Sequence, residues 1–159
     1  MTHPVLVLQH APWERPGLIS QALAEGAPGV PGLTRTVAAE PRPNLPAARD
    51  LAGLVVMGGS MNAEDDAHFP GLAAERRLLA EAVDTAVPVL GVCLGLQFHL
   101  EMDQPLPAEW LTAPPMVADL AQAGITDLRE QGDGALPTRA PRAVVGLAAF
   151  AAAVRERSG

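Results

Sequence analysis

The only cysteine of the chain, Cys93, lies between two glycines in the segment Gly-Val-Cys-Leu-Gly at 91–95. The apolar residues 87–92 that precede it predict a buried strand, so Cys93 would lie on a sharp strand-to-helix turn. Small neighbours leave such a turn open to a substrate, and the N-terminus of the following helix favours the thiolate. The pattern therefore predicts a cysteine nucleophile. Its weaker alternative is an inert buried cysteine, which is the more common role of a lone cysteine.

His99 lies six positions after Cys93 and could supply a general base. Glu101, two positions further on, could supply the carboxylate that orients this base. On a strand the two would share a face, whereas on a helix they would diverge by about 200°. If the segment continues as a helix, Cys93 and His99 lie about 9 Å apart along its axis and on different faces. An extended segment separates them by about 20 Å. Because a base must come within about 3 Å of its nucleophile, we expect this triad to be impaired.

A second glycine-rich segment, Gly58-Gly59-Ser60, follows a predicted strand at 51–57. Open parallel sheets place their sites at the carboxyl ends of the strands. The backbone of this segment could offer an amide to a developing oxyanion, jointly with the amide of Leu94. The alternative is a plain turn that ends the strand.

The remaining polar residues suggest no metal site. The histidines His3, His10 and His68 lack the spacing of metal ligands, and we expect them on the surface or in loops. The acidic cluster Glu64, Asp65 and Asp66 precedes a predicted helix, and we expect it to be a solvated helix-cap region.

Strands and helices are predicted to alternate along the chain, which favours an α/β fold with a doubly wound parallel sheet. On the helix at 70–86, Leu72, Leu79, Val83 and Ala86 form an apolar stripe that leaves Glu75 largely outside it. Residues 124–140 are predicted to form a surface loop. The predicted strands are 5–9, 34–38, 51–57 and 87–92, and the predicted helices are 16–25, 70–86, 114–123 and 141–157.

Composition limits the function further. The chain has 159 residues, of which 48% are apolar, and this predicts a single globular domain spanning 1–159. The net charge of −7 argues against a nucleic-acid partner. All 11 cationic residues are arginine, which excludes a phosphate-loop lysine and a Schiff-base lysine. No apolar run approaches a membrane span and no signal peptide is recognised, so with one cysteine we expect a cytoplasmic protein without a membrane partner.

Several separated motifs resemble class I glutamine amidotransferases, and they occur in family order. They are the strand end at 54–61, the helix segment Ala-Glu-Arg at 74–76, the cysteine segment at 88–95 and the histidine segment at 96–101. The N-terminal residues 7–17 resemble stand-alone members similar to the amidotransferase part of guanosine monophosphate synthase. The resemblance covers most of 4–103, the family core, and leaves 104–159 as a C-terminal helical region. It implies a flavodoxin-like three-layer sandwich.

The resemblance also implies a reaction and its residues. The thiolate would attack the side-chain amide of glutamine and form a γ-glutamyl thioester and ammonia, and an ammonia-accepting synthetase would be the partner. No cofactor and no metal are implied. The implied roles are Cys93 as nucleophile, His99 as base, Glu101 as its orienter, Gly59 and Leu94 as oxyanion donors, and Gln97 as a substrate contact.

A long stretch with several strands separates the cysteine and histidine signatures of that family. Here the two signatures share the tripeptide Gly-Leu-Gln at 95–97, which predicts an internal deletion and a shortened sheet. Missing strands would leave a sheet edge open, so we expect reduced stability or a homo-oligomer formed through that edge. Two alternatives to an impaired amidotransferase stay open. One is an inactive remnant or binding module of the same fold, and the other is a different cysteine-elbow hydrolase or peptidase.

Overall fold

The described part of this computed structural model comprises residues 2–92, 111–123 and 145–158. The last helix, α4, covers 145–158. The other α-helices and the strands, in chain order, are β1 (Val5–Gln9), α1 (Leu18–Gly26), β2 (Gly32–Thr36), β3 (Gly53–Val56), α2 (Leu72–Asp84), β4 (Val89–Gly91) and α3 (Pro114–Ala123), and a short 3-10 helix at Ala48–Asp50 connects β2 to β3.

The four strands form one parallel sheet in the order β2-β1-β3-β4. Val5 of β1 pairs with Gly32 on one side and with Gly53 on the other, and Leu54 pairs with Val89. The chain runs outward from β1 to β2 and then returns to the opposite side of β1 to form β3. The sheet therefore has a topological switch point between β1 and β3, where open α/β sheets place their ligands. This topology confirms the predicted α/β class and the mostly parallel sheet.

Alternation along β1 divides the core into two layers. Val5 and Val7 pack with apolar residues of α1 and α4, including Ile19 and Val154. The alternate strand residues point to the other face, where Leu6 and Leu8 are fully buried and lie in one cluster with Leu78 and Ala82 of α2. Helices on both faces of the sheet give the three-layer arrangement that the fold class requires.

One close backbone approach and one side-chain hydrogen bond hold the helices on the sheet. Gly71 precedes α2, and a β-carbon at this position would overlap the carbonyl oxygen of Val37. At the other end of the chain, Arg157 of α4 donates from Nε to the carbonyl of Leu51 at 2.9 Å, immediately before β3. The start of α2 and the end of α4 are thereby fixed relative to the sheet.

Most predicted elements are confirmed with shifted ends. The strand at 5–9 and the helix at 114–123 match the predicted bounds. β3 and β4 are shorter than predicted, because the regular ladder ends before the buried apolar run does, although Met57 and Val92 each still donate a backbone hydrogen bond to the neighbouring strand. β2 begins two residues before the predicted start at 34 and ends two before 38. The described part of the last predicted helix is helical, whereas 141–144 and the predicted loop 124–140 lie outside the described residues.

The apolar stripe predicted on α2 is confirmed at Leu72, which is buried, and is wrong at Val83 and Ala86. Val83 is 65% exposed, and Ala86 lies beyond the helix end with a φ of 52°. The buried positions of α2 are Leu72, Glu75, Leu78 and Ala82. A carboxylate occupies the buried face because it has a buried partner there, which hydropathy spacing does not reveal. In the described ranges, no helix is both long enough and apolar enough to cross a bilayer.

Candidate functional site

The carboxyl ends of β1 and β3 meet at the switch point and bring two separate chain segments together. Met57 donates its backbone N–H to the carbonyl of Leu8 at 2.9 Å, which keeps the segments aligned beyond the end of β3. His10 follows β1 directly, and Gly58 and Gly59 follow Met57. We call this region, formed by His10, Gly58 and Gly59, the switch-point edge.

The imidazole of His10 connects the switch-point edge to α2. Its side chain is only 5% exposed. Nδ1 lies 3.0 Å from the carbonyl oxygen of Gly58, and Nε2 lies 2.9 Å from Oε2 of Glu75. Because a carbonyl oxygen only accepts hydrogen bonds, Nδ1 carries a proton and donates it to Gly58. Nε2 faces the Glu75 carboxyl group, and it donates there as well when the ring is charged.

Opposing effects set the pKa of His10. Burial lowers the pKa, since it penalises the charged ring. The hydrogen bond and the negative charge of Glu75 raise it, and the Gly58 carbonyl and the charge of Glu14 add to this effect. The raising contributions are larger in sum, and the pKa of His10 lies above its ordinary value. The cationic ring therefore persists to higher pH than that of a free histidine.

The backbone of His10 is held by a second carboxylate. Oε2 of Glu14 accepts hydrogen bonds from the N–H of His10 at 3.2 Å and from the N–H of Ala11 at 2.9 Å. Burial raises the pKa of Glu14, against the lowering effects of the His10 charge and of these two amides. The turn after β1 is thus fixed by its own side chain, and the ring of His10 starts from a defined backbone position.

Gly59 is packed closely against two neighbours at the switch-point edge. A β-carbon there would overlap the sulfur of Met61 and would lie 3.2 Å from both Cβ and Cγ of His10. The residue is nevertheless exposed. An exposed backbone at the carboxyl edge of the sheet is compatible with the oxyanion-donor role that the sequence resemblance implies.

The remaining predicted site residues, Cys93, Leu94, Gln97, His99 and Glu101, lie outside the described residues. The chain leading to them is described as far as Val92, which donates its N–H to the carbonyl of Val56 at 2.9 Å. The residue that precedes Cys93 is therefore paired with the end of β3, three residues before Gly59.

His10 lies in the loop after β1, as predicted, but it is not a surface residue, because its ring is buried between Gly58 and Glu75. One sequence signal could have identified His10 as a site residue. It directly follows a predicted strand, just as Gly58 and Gly59 follow another, and the carboxyl ends of parallel strands lie at the same edge of a sheet. No sequence signal identifies Glu75 as its partner, 65 positions away.

The acidic cluster is solvated as predicted, but it does not cap α2. The cap position of that helix is Gly71, which has no side-chain cap. Asp65 instead contacts Nδ1 of His68 at 2.8 Å, and Asp66 accepts from Arg76 at 2.6 Å. Within the described ranges, no three histidine, cysteine or acidic side chains are grouped as a metal site.

Solved structures similar to this chain include two glutamine amidotransferases, although no family model and no curated protein match its sequence. A glutamine amidotransferase from Thermotoga maritima aligns with a TM-score of 0.69 over 99% of both chains, at 16% identity. The fold is that of a glutamine amidotransferase. A glutamine amidotransferase from Methylobacillus flagellatus is 35% identical over 60% of this chain, with a TM-score of 0.50. This chain spans 36% of the length of the M. flagellatus protein.

At the switch-point edge, the described residues bring together a buried imidazole at His10, the Gly58 carbonyl bonded to it and an exposed backbone at Gly59.

Proposed function

We propose that this chain is a class I glutamine amidotransferase-like protein of the stand-alone kind, in which Cys93 attacks the side-chain amide of glutamine. The observation that carries the proposal is the pairing of Val92 with Val56. Val92 directly precedes Cys93, and Val56 ends the strand that Met57, Gly58 and Gly59 follow. The similarity to two glutamine amidotransferases supports the same chemistry.

The proposed reaction has two steps. The Cys93 thiolate forms a bond to the amide carbon of glutamine, and the carbonyl oxygen becomes an oxyanion that the amides of Gly59 and Leu94 bind. The carbon–nitrogen bond then breaks, and the nitrogen leaves as ammonia after it takes up a proton. Water attacks the resulting γ-glutamyl thioester, which releases glutamate and regenerates the thiol. The ammonia would pass to an acceptor enzyme, a synthetase by analogy with the resemblance.

The proposal also includes an impaired catalytic base. His99 would be the base, Glu101 its orienter and Gln97 a contact to glutamine, but His99 follows Cys93 by only six positions. The shared Gly-Leu-Gln at 95–97 supports an internal deletion as the origin of this spacing. Removing a catalytic base typically costs about 10²–10⁴ in rate. We therefore expect formation of the thioester or of its analogue to be easier to detect than turnover.

Two measurements test the proposal. The first is glutamine-dependent release of ammonia by the wild type, by Cys93→Ala and by His99→Ala. The second is mass-spectrometric labelling of Cys93 by a diazoketone analogue of glutamine, with iodoacetamide as a control for plain thiol reactivity. We expect specific labelling by the analogue, slow ammonia release that is lost in Cys93→Ala, and little effect of His99→Ala.

Different results would separate the alternatives. Equal reaction of Cys93 with iodoacetamide and none with the glutamine analogue would indicate an inactive remnant and overturn the proposal. Hydrolysis of peptides without hydrolysis of glutamine would indicate another cysteine-elbow hydrolase. A large loss of ammonia release in His99→Ala would leave the amidotransferase proposal standing but overturn the impaired base.

A further inference from the structure

The peptide between Gly58 and Gly59 is the part of the switch-point edge whose orientation matters most. A peptide is planar, and among the described residues none is cis. In a planar trans peptide the carbonyl and the N–H point in opposite directions. The direction of the Gly58 carbonyl therefore also sets the direction of the Gly59 N–H.

A pair of glycines does not fix that direction by itself, since glycine lacks the β-carbon that restricts backbone rotation. Another group must do so, and His10 has the required contacts. Nδ1 holds the Gly58 carbonyl at 3.0 Å, and the side chain packs closely on Gly59, where a β-carbon would lie 3.2 Å from Cβ and Cγ of His10.

We propose that His10 and Glu75 are positioning residues that hold the Gly58–Gly59 peptide so that the Gly59 amide points at the reacting oxygen. His10 makes the contact, and Glu75 fixes the ring from α2 through the 2.9 Å contact to Nε2. The inference rests on the proposed function for its purpose, but the positioning itself is a property of these four residues.

The hydrogen-bond pattern makes the positioning depend on a proton. With both ring nitrogens protonated, His10 donates to Gly58 on one side and to Glu75 on the other. Loss of the Nε2 proton would leave a ring lone pair facing the Glu75 carboxylate, and the ring would have to move. Two charged groups act on His10 from the described elements around it, Glu75 on α2 and Glu14 in its own turn. The loop from Gly58 to Met61 adds no charged side chain.

Two substitutions of His10 separate its contacts. The side-chain nitrogen of asparagine in His10→Asn lies near the position of Nδ1 and can still donate to Gly58. The side-chain nitrogen of glutamine in His10→Gln lies near Nε2 and can reach Glu75 but not Gly58. The matched control is His68→Gln, because His68 also contacts a carboxylate but lies exposed outside the switch-point edge.

The direct readout is the NMR order parameter of the Gly59 N–H, which needs no catalytic activity. We expect a value of about 0.85 in the wild type, in His10→Asn and in His68→Gln, and a fall below about 0.6 in His10→Gln. Equal order parameters in His10→Gln and the wild type would overturn the inference.

Labelling kinetics connect positioning to the reaction. His10→Gln should slow labelling of Cys93 by the glutamine analogue by up to about 10- to 100-fold, since the analogue's carbonyl oxygen binds where the oxyanion would form, and complete loss of a donor there costs about 10²–10³. The iodoacetamide rate should stay unchanged, because iodoacetamide alkylates the thiolate without occupying the glutamine site. If the wild type is not labelled by the analogue at all, the proposed function fails, and the order parameter still decides the positioning. If labelling is normal in His10→Gln and the order parameter is unchanged, only the positioning fails.

Discussion

Removing both partners of the His10–Glu75 pair should cost clearly less stability than the sum of the two single removals. The two side chains are 5% and 9% exposed, and their nitrogen and oxygen lie 2.9 Å apart. Glu75→Leu leaves a buried cation without an acceptor, and His10→Phe leaves a buried carboxylate without a donor. Breaking a buried ion pair in this way costs about 3–5 kcal/mol. The double variant buries no unpaired charge, so we expect a coupling of about 2–3 kcal/mol, near the upper limit for residues in contact.

Urea denaturation of the four proteins in this cycle measures the coupling. The midpoints can be compared at a shared slope, because the substitutions leave the exposed surface on unfolding nearly unchanged. The matched control is the same cycle on Asp65 and His68, an exposed pair with a similar separation of 2.8 Å. Solvent screens that pair, and we expect its two substitutions to be additive. Additive costs for His10 and Glu75 would refute the reasoning, since they would mean that neither side chain depends on the other.

The coupling should also depend on pH in a defined direction. The folded pKa of His10 lies above its ordinary value, so the stabilisation is complete below that value and is lost as the pH rises through the folded pKa. The titration of Glu14 also lowers the stability as the pH rises, because its raised pKa means that ionisation costs more in the folded state than in the unfolded state. The cycle should therefore be repeated at about pH 6 and about pH 9 in a Glu14→Gln background, which removes the second titration. A coupling that grows toward the higher pH would contradict the assignment of His10 as the cation.

Glycine substitutions test the packing at other positions. Gly71→Ala should cost more than about 3 kcal/mol or abolish folding, because its β-carbon meets the backbone oxygen of Val37, which cannot rotate away. Gly146→Ala, with open space around it on α4, should instead stabilise the protein by about 0.5–1 kcal/mol. Gly59→Ala should slow labelling by the glutamine analogue, since it displaces His10, at a cost of about 1–3 kcal/mol in unfolding free energy. Gly32→Ala, also without a close neighbour, is its control and should leave labelling unchanged, whereas equal labelling of both variants would contradict the packing argument.

The sheet could be predicted from the sequence because its strands are nearly continuous apolar runs. The residues of β1 and β3 are all buried, and such runs predict strands of a parallel sheet covered on both faces. The strand order could not be read in the same way, since each strand is as apolar as its neighbours. β2 is the exception that shows the limit. Four of its five residues are exposed, and only its register with β1 identifies it as an edge strand in the described sheet.

The candidate site was predictable only where a local pattern carries it. Gly58 and Gly59 follow a clear strand, so their place at the carboxyl edge of the sheet follows from the strand itself. His10 has an equally clear strand before it, but a single histidine carries no spacing signal. The role of Glu75 is visible only in three dimensions, because an amphipathic helix is expected to turn its carboxylates toward solvent. A buried carboxylate needs a partner, and its partner comes from a distant segment.

The groups that would bind the oxyanion and the group that would act as base come from different parts of the chain. Each contact that positions the Gly58–Gly59 peptide joins residues before Val92. The turn after β1 supplies His10, the segment after β3 supplies the peptide, and α2 supplies Glu75. The proposed deletion affects a later part of the chain, where the base would lie. Such a chain should still bind the oxyanion that forms when the Cys93 thiolate attacks the amide. It should lack an aligned base for the later attack of water on the thioester. Labelling of Cys93 that responds to His10→Gln but not to His99→Ala would demonstrate this division, and the opposite response would place the limiting group in the later part of the chain.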